Sequence, residues 1–191
     1  MRGRRRSAKR DPGDAGGVLR AEHEIILSVA RALGSVLQGG GRLDDVAFWS
    51  EAVGFLQAFA EWHDTREEEV LLPHFSACGV ATTEEPFVRL LAEHDEVRAL
   101  LQHMAELAPR LADASPTERE AFRAAVAGYC ELIPRHIAAE TGVLLPLMDE
   151  LISPEDARDL MQRFRLREHT ADGEDEYDRL LTIADHLRRA A

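Results

Sequence analysis

His63-Asp64-Thr65-Arg66-Glu67, followed by Val70-Leu71-Leu72-Pro73, recurs along the chain as His136-Ile137-Ala138-Ala139-Glu140, followed by Val143-Leu144-Leu145-Pro146. The offsets inside the two segments are the same. A lone histidine stands upstream of each in a matching setting, Ala21-Glu22-His23-Glu24 and Ala92-Glu93-His94-Asp95. His23 precedes His63 by 40 residues, and His94 precedes His136 by 42. The chain therefore reads as two similar helical hairpins, each supplying one lone His and one His-x3-Glu.

Around these segments apolar residues recur in steps of three and four, which places them on one face of a helix. The first helix is expected from about Val18 to Gln38, where Gly39-Gly40-Gly41 stops it. Its seam is Leu19, His23, Ile26, Ala30, Leu33 and Leu37. The second is expected from about Asp44 to Ser76, with Leu56, Ala60, His63, Glu67 and Val70 on its seam. The third starts after Pro86 and ends near Leu111; its seam is Phe87, Leu90, His94, Val97, Leu101 and Met104. The fourth opens at Ser115-Pro116-Thr117-Glu118, a capping box with Pro at the first helical position, and runs to about Leu151. Its seam is Phe122, Val126, Tyr129, Ile133, His136, Glu140, Val143 and Leu147. Ser153-Pro154-Glu155-Asp156 caps a fifth helix, and Gly173 separates it from a sixth around Glu176 to Arg189.

Strand patterning is nearly absent, so the fold class is all-α. Short connections make sequential helices antiparallel neighbours, which predicts an up-down-up-down four-helix bundle with additional C-terminal helices. Residues 1–17 read as a disordered basic arm, 18–152 as the bundle and 153–191 as a helical extension that packs on it or forms a partner surface, with Phe164 and Tyr177 as packing anchors.

Six seam residues do not belong in an apolar core: His23, His63, Glu67, His94, His136 and Glu140. A carboxylate buried without a partner costs several kcal/mol, and an unpaired imidazole is also unfavourable. A shared metal centre resolves all six. Residues at i and i+4 lie one turn apart, roughly 5–6 Å between Cβ atoms. An imidazole then binds one metal while the glutamate below it reaches between two. Two bridging glutamates and two histidines per metal leave room for an oxo or hydroxo bridge and an open position. Mixed N and O ligation suits two iron ions, and manganese fits the same set.

Other titratable residues rank lower. Asp64 reads as a seventh ligand or as a partner to a ligand; its repeat counterpart is Ile137, so either role makes the two metals inequivalent. Glu22, Glu24, Glu68, Glu93 and Asp95 are placed to orient the ligand imidazoles, although solvated helix faces are the commoner fate of such acids. His103 is half a turn off the seam and is expected at the surface. His74, His169 and His186 have no partner pattern. Tyr129, on the seam, reads as core. No catalytic nucleophile or substrate-binding motif stands out.

Net charge is −12, from 23 basic and 35 acidic side chains, and the first ten residues hold six of the basic ones. The rest is strongly acidic, which argues against nucleic acid as the partner. No apolar run approaches a membrane span, and no export signal follows the arginines. Cys78 and Cys130 have no CxxC pattern and read as buried thiols in a reducing, cytoplasmic setting.

The order lone His23, His63-x3-Glu67, lone His94, His136-x3-Glu140, with Leu and Pro after each pair, resembles the hemerythrin-like (HHE cation-binding) family over roughly Leu19 to Glu150. The resemblance implies a non-haem di-iron centre on the same six residues. Family members are associated with O2 binding, O2, redox or iron sensing, and protection against peroxide or NO. Small diatomics or peroxide are thus the expected ligands. The chain departs from the O2 carriers, which have a second histidine one turn after the third-helix histidine; here that residue is Arg98. It has Leu-Leu-Pro where the family often shows Leu-Phe-Pro, and the family's common second glutamate is present as Glu68 but replaced by Thr141 in the second copy. A sensing or binding protein is the leading expectation. A di-iron oxidase or peroxidase, and an iron-handling module, are the alternatives.

Overall fold

The structure, a computed structural model, describes residues 15–40, 42–165 and 176–190. All regular elements among them are helices. They are α1 (Ala15–Gln38), α2 (Val46–Arg66), a π-helical segment (Glu67–Leu71), α3 (Leu72–Ala77), α4 (Phe87–Leu107), a 3-10 turn (Ala108–Arg110), α5 (Pro116–Leu151), α6 (Pro154–Arg165) and α7 (Glu176–Ala190). Most of the basic arm lies outside the described residues, as do His169 and Gly173.

Helix ends follow local chemistry. The Asp45 carboxylate accepts from the Phe48 N–H at 3.1 Å and caps α2. Ser115 caps α5: its Oγ accepts from the Glu118 N–H at 3.3 Å, and its own N–H donates to Glu118 Oε2 at 2.9 Å. A cap of this kind is worth about 1 kcal/mol. Ser153 and Asp156 repeat the arrangement at α6. Gly40, at φ 109°, turns the chain after α1 where a side chain would be strained.

Several boundaries differ from expectation. α1 begins at Ala15, three residues inside the expected arm, because Ala15 and Val18 pack with Leu19 in the core. The third helix becomes a 3-10 turn at Ala108, where Pro109 lacks an N–H. The second expected helix is interrupted at Glu67–Leu71, where the Leu72 N–H bonds back to the Glu67 carbonyl, the wider spacing of a π turn. Pro73 cannot donate to the Glu69 carbonyl; the Arg163 guanidinium of α6 does so at 3.0 Å. At the lower end of α5 the buried face is Leu144, Leu145 and Met148, with Val143 and Leu147 only half-buried. A 3.6-residue turn drifts away from a strict heptad over such a length.

The core falls into two apolar clusters with a polar layer between them. One is built on Trp49, Phe55, Phe59 and Phe122. The other is built on Leu71, Phe75, Leu144 and Phe164. α1 passes from the second cluster (Leu19) through His23 to the first (Ile26), and α4 does the same from Leu90 through His94 to Val97. α2 and α5 meet the clusters in the opposite order, Ala60–His63–Val70 and Ile133–His136–Leu144. α7 packs along α1 and α2, and α6 against α1 and the π segment. Phe164 and Tyr177 are buried, as expected of anchors.

Cys78 is exposed, contrary to its reading as a buried thiol, because α3 ends at Ala77 and leaves Cys78 on the turn. Cys130 is half-buried and donates its Sγ–H to the Ala30 carbonyl at 3.3 Å. No described helix is long and apolar enough to cross a membrane.

Candidate metal centre

The structure brings together all six seam residues. Each is at most 4% exposed. Their positions follow from the helix repeat: His63 and Glu67 lie one turn apart, as do His136 and Glu140, and the lone histidines enter from α1 and α4.

All four imidazoles turn Nε2 toward the two carboxylates. Glu140 Oε1 lies 2.6 Å from His136 Nε2 and 3.0 Å from His94 Nε2, while Oε2 lies 3.3 Å from His23 Nε2 and 3.9 Å from His63 Nε2. Glu67 Oε1 lies 3.5 Å from His63 Nε2 and 3.9 Å from His23 Nε2, and Oε2 lies 3.6 Å from His94 Nε2. The rings form two edge-to-face pairs, His23 with His63 and His94 with His136, each with centroids 4.9 Å apart. Among the seam residues two sets of donor atoms are close enough to hold a cation, His23, His63, Glu67 and Glu140 on one side and His94, His136 and Glu140 on the other.

Each outer nitrogen is held as well. His63 Nδ1 donates to Glu22 at 3.1 Å, His94 Nδ1 to Glu68 at 2.7 Å and His136 Nδ1 to Glu93 at 2.9 Å; His23 Nδ1 pairs with Thr141 Oγ1 at 3.2 Å. A carboxylate on Nδ1 fixes the proton there and leaves the Nε2 lone pair facing inward, which is what a cation needs. The pattern has the symmetry of the repeat. The residue before each lone histidine orients the second histidine of its own hairpin. The residue after each glutamate orients the lone histidine of the other. Glu24 and Asp95 are exposed and orient nothing in the centre.

A donor set built for cations is out of balance without them. His23 Nε2, His63 Nε2, Glu67 Oε1 and Glu140 Oε2 are buried with no hydrogen-bond partner. Burial opposes charge on His94, but Glu140 and Glu68 outweigh it and raise its pKa to about 10. Burial likewise opposes charge on His63, yet Glu67, Glu140 and Glu22 push its pKa well up. Burial pushes Glu67 well up, with the Glu140 charge adding to it. The four histidine contacts overcome burial at Glu140 and hold its carboxyl well below the ordinary range. The protons held by these groups sit where cations fit.

A scan against protein families matches the hemerythrin HHE cation binding domain over residues 15–148. The chain belongs to the hemerythrin HHE cation-binding family. Comparison with curated proteins and with solved structures gave no match. For a hemerythrin-type domain, the buried His/Glu groups are those able to hold metal.

Other residues expected near the centre divide. Asp64 is buried, with Oδ1 4.0 Å from His94 Nε2 and Oδ2 held by Arg98 at 3.3 Å. It forms a further donor group with Glu68 and His94. Arg98 also binds Glu68 at 2.6 Å. His103 is exposed as expected, and His74 pairs with Cys78 at 3.8 Å and meets the Phe75 ring, away from the centre.

Arg66 was missed. It is buried, bonded to the Glu22 carboxylate, with its guanidinium 4.0 Å from the Trp62 ring centroid and 5.1 Å from that of Phe164, and donates to the Phe164 carbonyl at 3.5 Å. Arginine is mostly exposed, so composition gives no signal. The only hint was a charge three residues after His63, where the second copy has Ala139.

Proposed function

We propose that the chain binds two iron ions on His23, His63, Glu67, His94, His136 and Glu140 and uses them to bind or sense O2, redox state, peroxide or NO. One observation carries this reading: four Nε2 atoms converge on two carboxylates, each with one buried oxygen that lacks a partner, while every Nδ1 is separately held. Iron there would supply one-electron redox change and an open coordination position; manganese fits the same donors. Glu67 and Glu140 span the two histidine pairs, and the Nδ1 partners keep the rings from rotating. The four long helices are read as an up-down-up-down bundle, supported by the alternating order in which they meet the two apolar clusters. Residues 18–152 then form the metal-holding unit and 153–191 an extension, of which α6 and α7 pack on it.

Arg98 stands where O2 carriers have a histidine and is engaged by Asp64 and Glu68, which favours sensing over reversible O2 carriage. A di-iron oxidase or peroxidase is the second reading, favoured by a buried cavity beside His63, His136 and Glu140 that Tyr129 also lines. An iron-handling module is the third.

Metal analysis of the purified protein, with optical spectra before and after reduction, tests the proposal. About two irons per chain and an oxygen-dependent charge-transfer band are expected. Metal-free protein indifferent to added iron overturns it. Steady-state turnover of peroxide would favour the enzyme, and a reversible spectral change without turnover the sensor.

A further inference from the structure

The cavity beside the centre has a chemically distinct end. His63, His136 and Glu140 line it together with the aliphatic Val97 and with Asp64 and Tyr129. Its free space, about 10 Å³ for the centre of a water-sized molecule, is about enough for one water-sized group, such as the distal atom of a small ligand. Ala60 separates this cavity from a groove of about 250 Å³ bordered by Glu61, Arg98 and Leu101.

Tyr129 is 1% exposed, yet its hydroxyl has no hydrogen-bond partner among the described residues. A phenol in the interior normally finds one. Packing alone would be served by phenylalanine. Burial and the neighbouring Cys130 and Asp64 push the phenol's pKa up, so it stays a neutral donor.

We propose that Tyr129 donates a hydrogen bond to the distal atom of the small ligand held in this cavity, selecting acceptor-bearing ligands of the peroxide class over nitric oxide. The inference rests on the metal-centre reading above. Peroxide-class ligands offer an oxygen lone pair at the position of the phenol. Nitric oxide is a weak acceptor and gains little there. Asp64, held by Arg98, keeps Oδ2 engaged and leaves Oδ1 without a hydrogen-bond partner.

The test uses iron-loaded full-length protein with azide as an acceptor-bearing probe and nitric oxide as the comparison, both followed by absorption. Loss of one hydrogen bond predicts that Tyr129→Phe weakens azide binding about three- to tenfold. Nitric oxide affinity and iron content should stay within about twofold. Val97→Phe, which fills the cavity, should abolish azide binding while iron is retained. Equal azide affinity in wild type and Tyr129→Phe overturns the role of Tyr129. Iron loss in Tyr129→Phe assigns the residue to the fold and also overturns it. Undiminished azide binding in Val97→Phe overturns the location, as does iron-loaded wild type that ignores azide. Absence of iron from wild-type protein overturns the metal-centre reading itself.

Discussion

The two hairpins carry the same inward-facing residues on the same spacing but surround them differently. In the first, Asp64, Arg66 and Glu68 flank the His-x3-Glu pair; in the second the matching residues are Ile137, Ala139 and Thr141. The first passes through a π turn at the site, and the second continues as one helix through its own Leu-Leu-Pro. His94 is backed by the Glu68 carboxylate and has a raised pKa, whereas His23 is backed by the neutral Thr141 hydroxyl and burial lowers its pKa. The repeat extends to the inner residues, and the differences are concentrated in the residues around them. Imidazoles backed by carboxylates are the stronger donors, so the two halves of the centre should hold cations unequally.

The most severe way to break the comparison is to remove what the halves share. Glu140→Ala should take iron from about two per chain to near none, because Glu140 faces all four imidazoles. His63→Ala should also lower it sharply, and His103→Ala should leave it unchanged. Equal loss in all three would show that the inner set is misassigned.

Next comes the pair found only in the first hairpin. Arg66→Ala leaves the buried Glu22 charge without its cation and should cost about 3–5 kcal/mol in denaturant unfolding. A loss under about 1 kcal/mol, the size of an exposed pair, would mean Glu22 is relaxed toward water.

A symmetrising substitution sharpens the contrast. Glu68→Thr gives His94 the kind of partner His23 has, and should weaken cation binding on the His94–His136 side about ten- to a hundredfold. Calorimetric titration should then show two sites closer in affinity than in wild type. Unchanged binding would make the outer residues irrelevant to affinity.

The smallest effect expected is the pH dependence. His94 gains basicity on folding, so its contribution to metal-free stability is fully present below about pH 6.5 and lost as pH rises toward 10. Cation uptake must displace that proton, so affinity should fall as pH is lowered and binding should release protons. Calorimetry in buffers of different ionisation enthalpy would detect the release; none would mean the metal-free site is already deprotonated.

Much of this was legible because it repeats. The helical course of the chain, the seam phase around the centre and the six inner residues follow from spacing that helix geometry dictates. The capping boxes at Ser115 and Ser153 were readable because both partners are local. What was hidden depends on contacts between distant segments. The burial of Arg66 needs Phe164, 98 residues away, to supply both a ring and a carbonyl. The role of Thr141 needs His23 from the other hairpin. The π turn was also invisible, since the same Leu-Leu-Pro accompanies a continuous helix in α5. At the π turn Arg163 of α6, distant in sequence, donates to the Glu69 carbonyl that Pro73 cannot serve.

The polar layer between two apolar clusters has a mechanical consequence. Each end of the molecule is fastened by its own oily plug, and only the waist depends on ions. Drained of cations, such a rod loosens first at mid-height, so the quickest deuterium uptake should come from the amides flanking His63 and His136 while the ends stay closed.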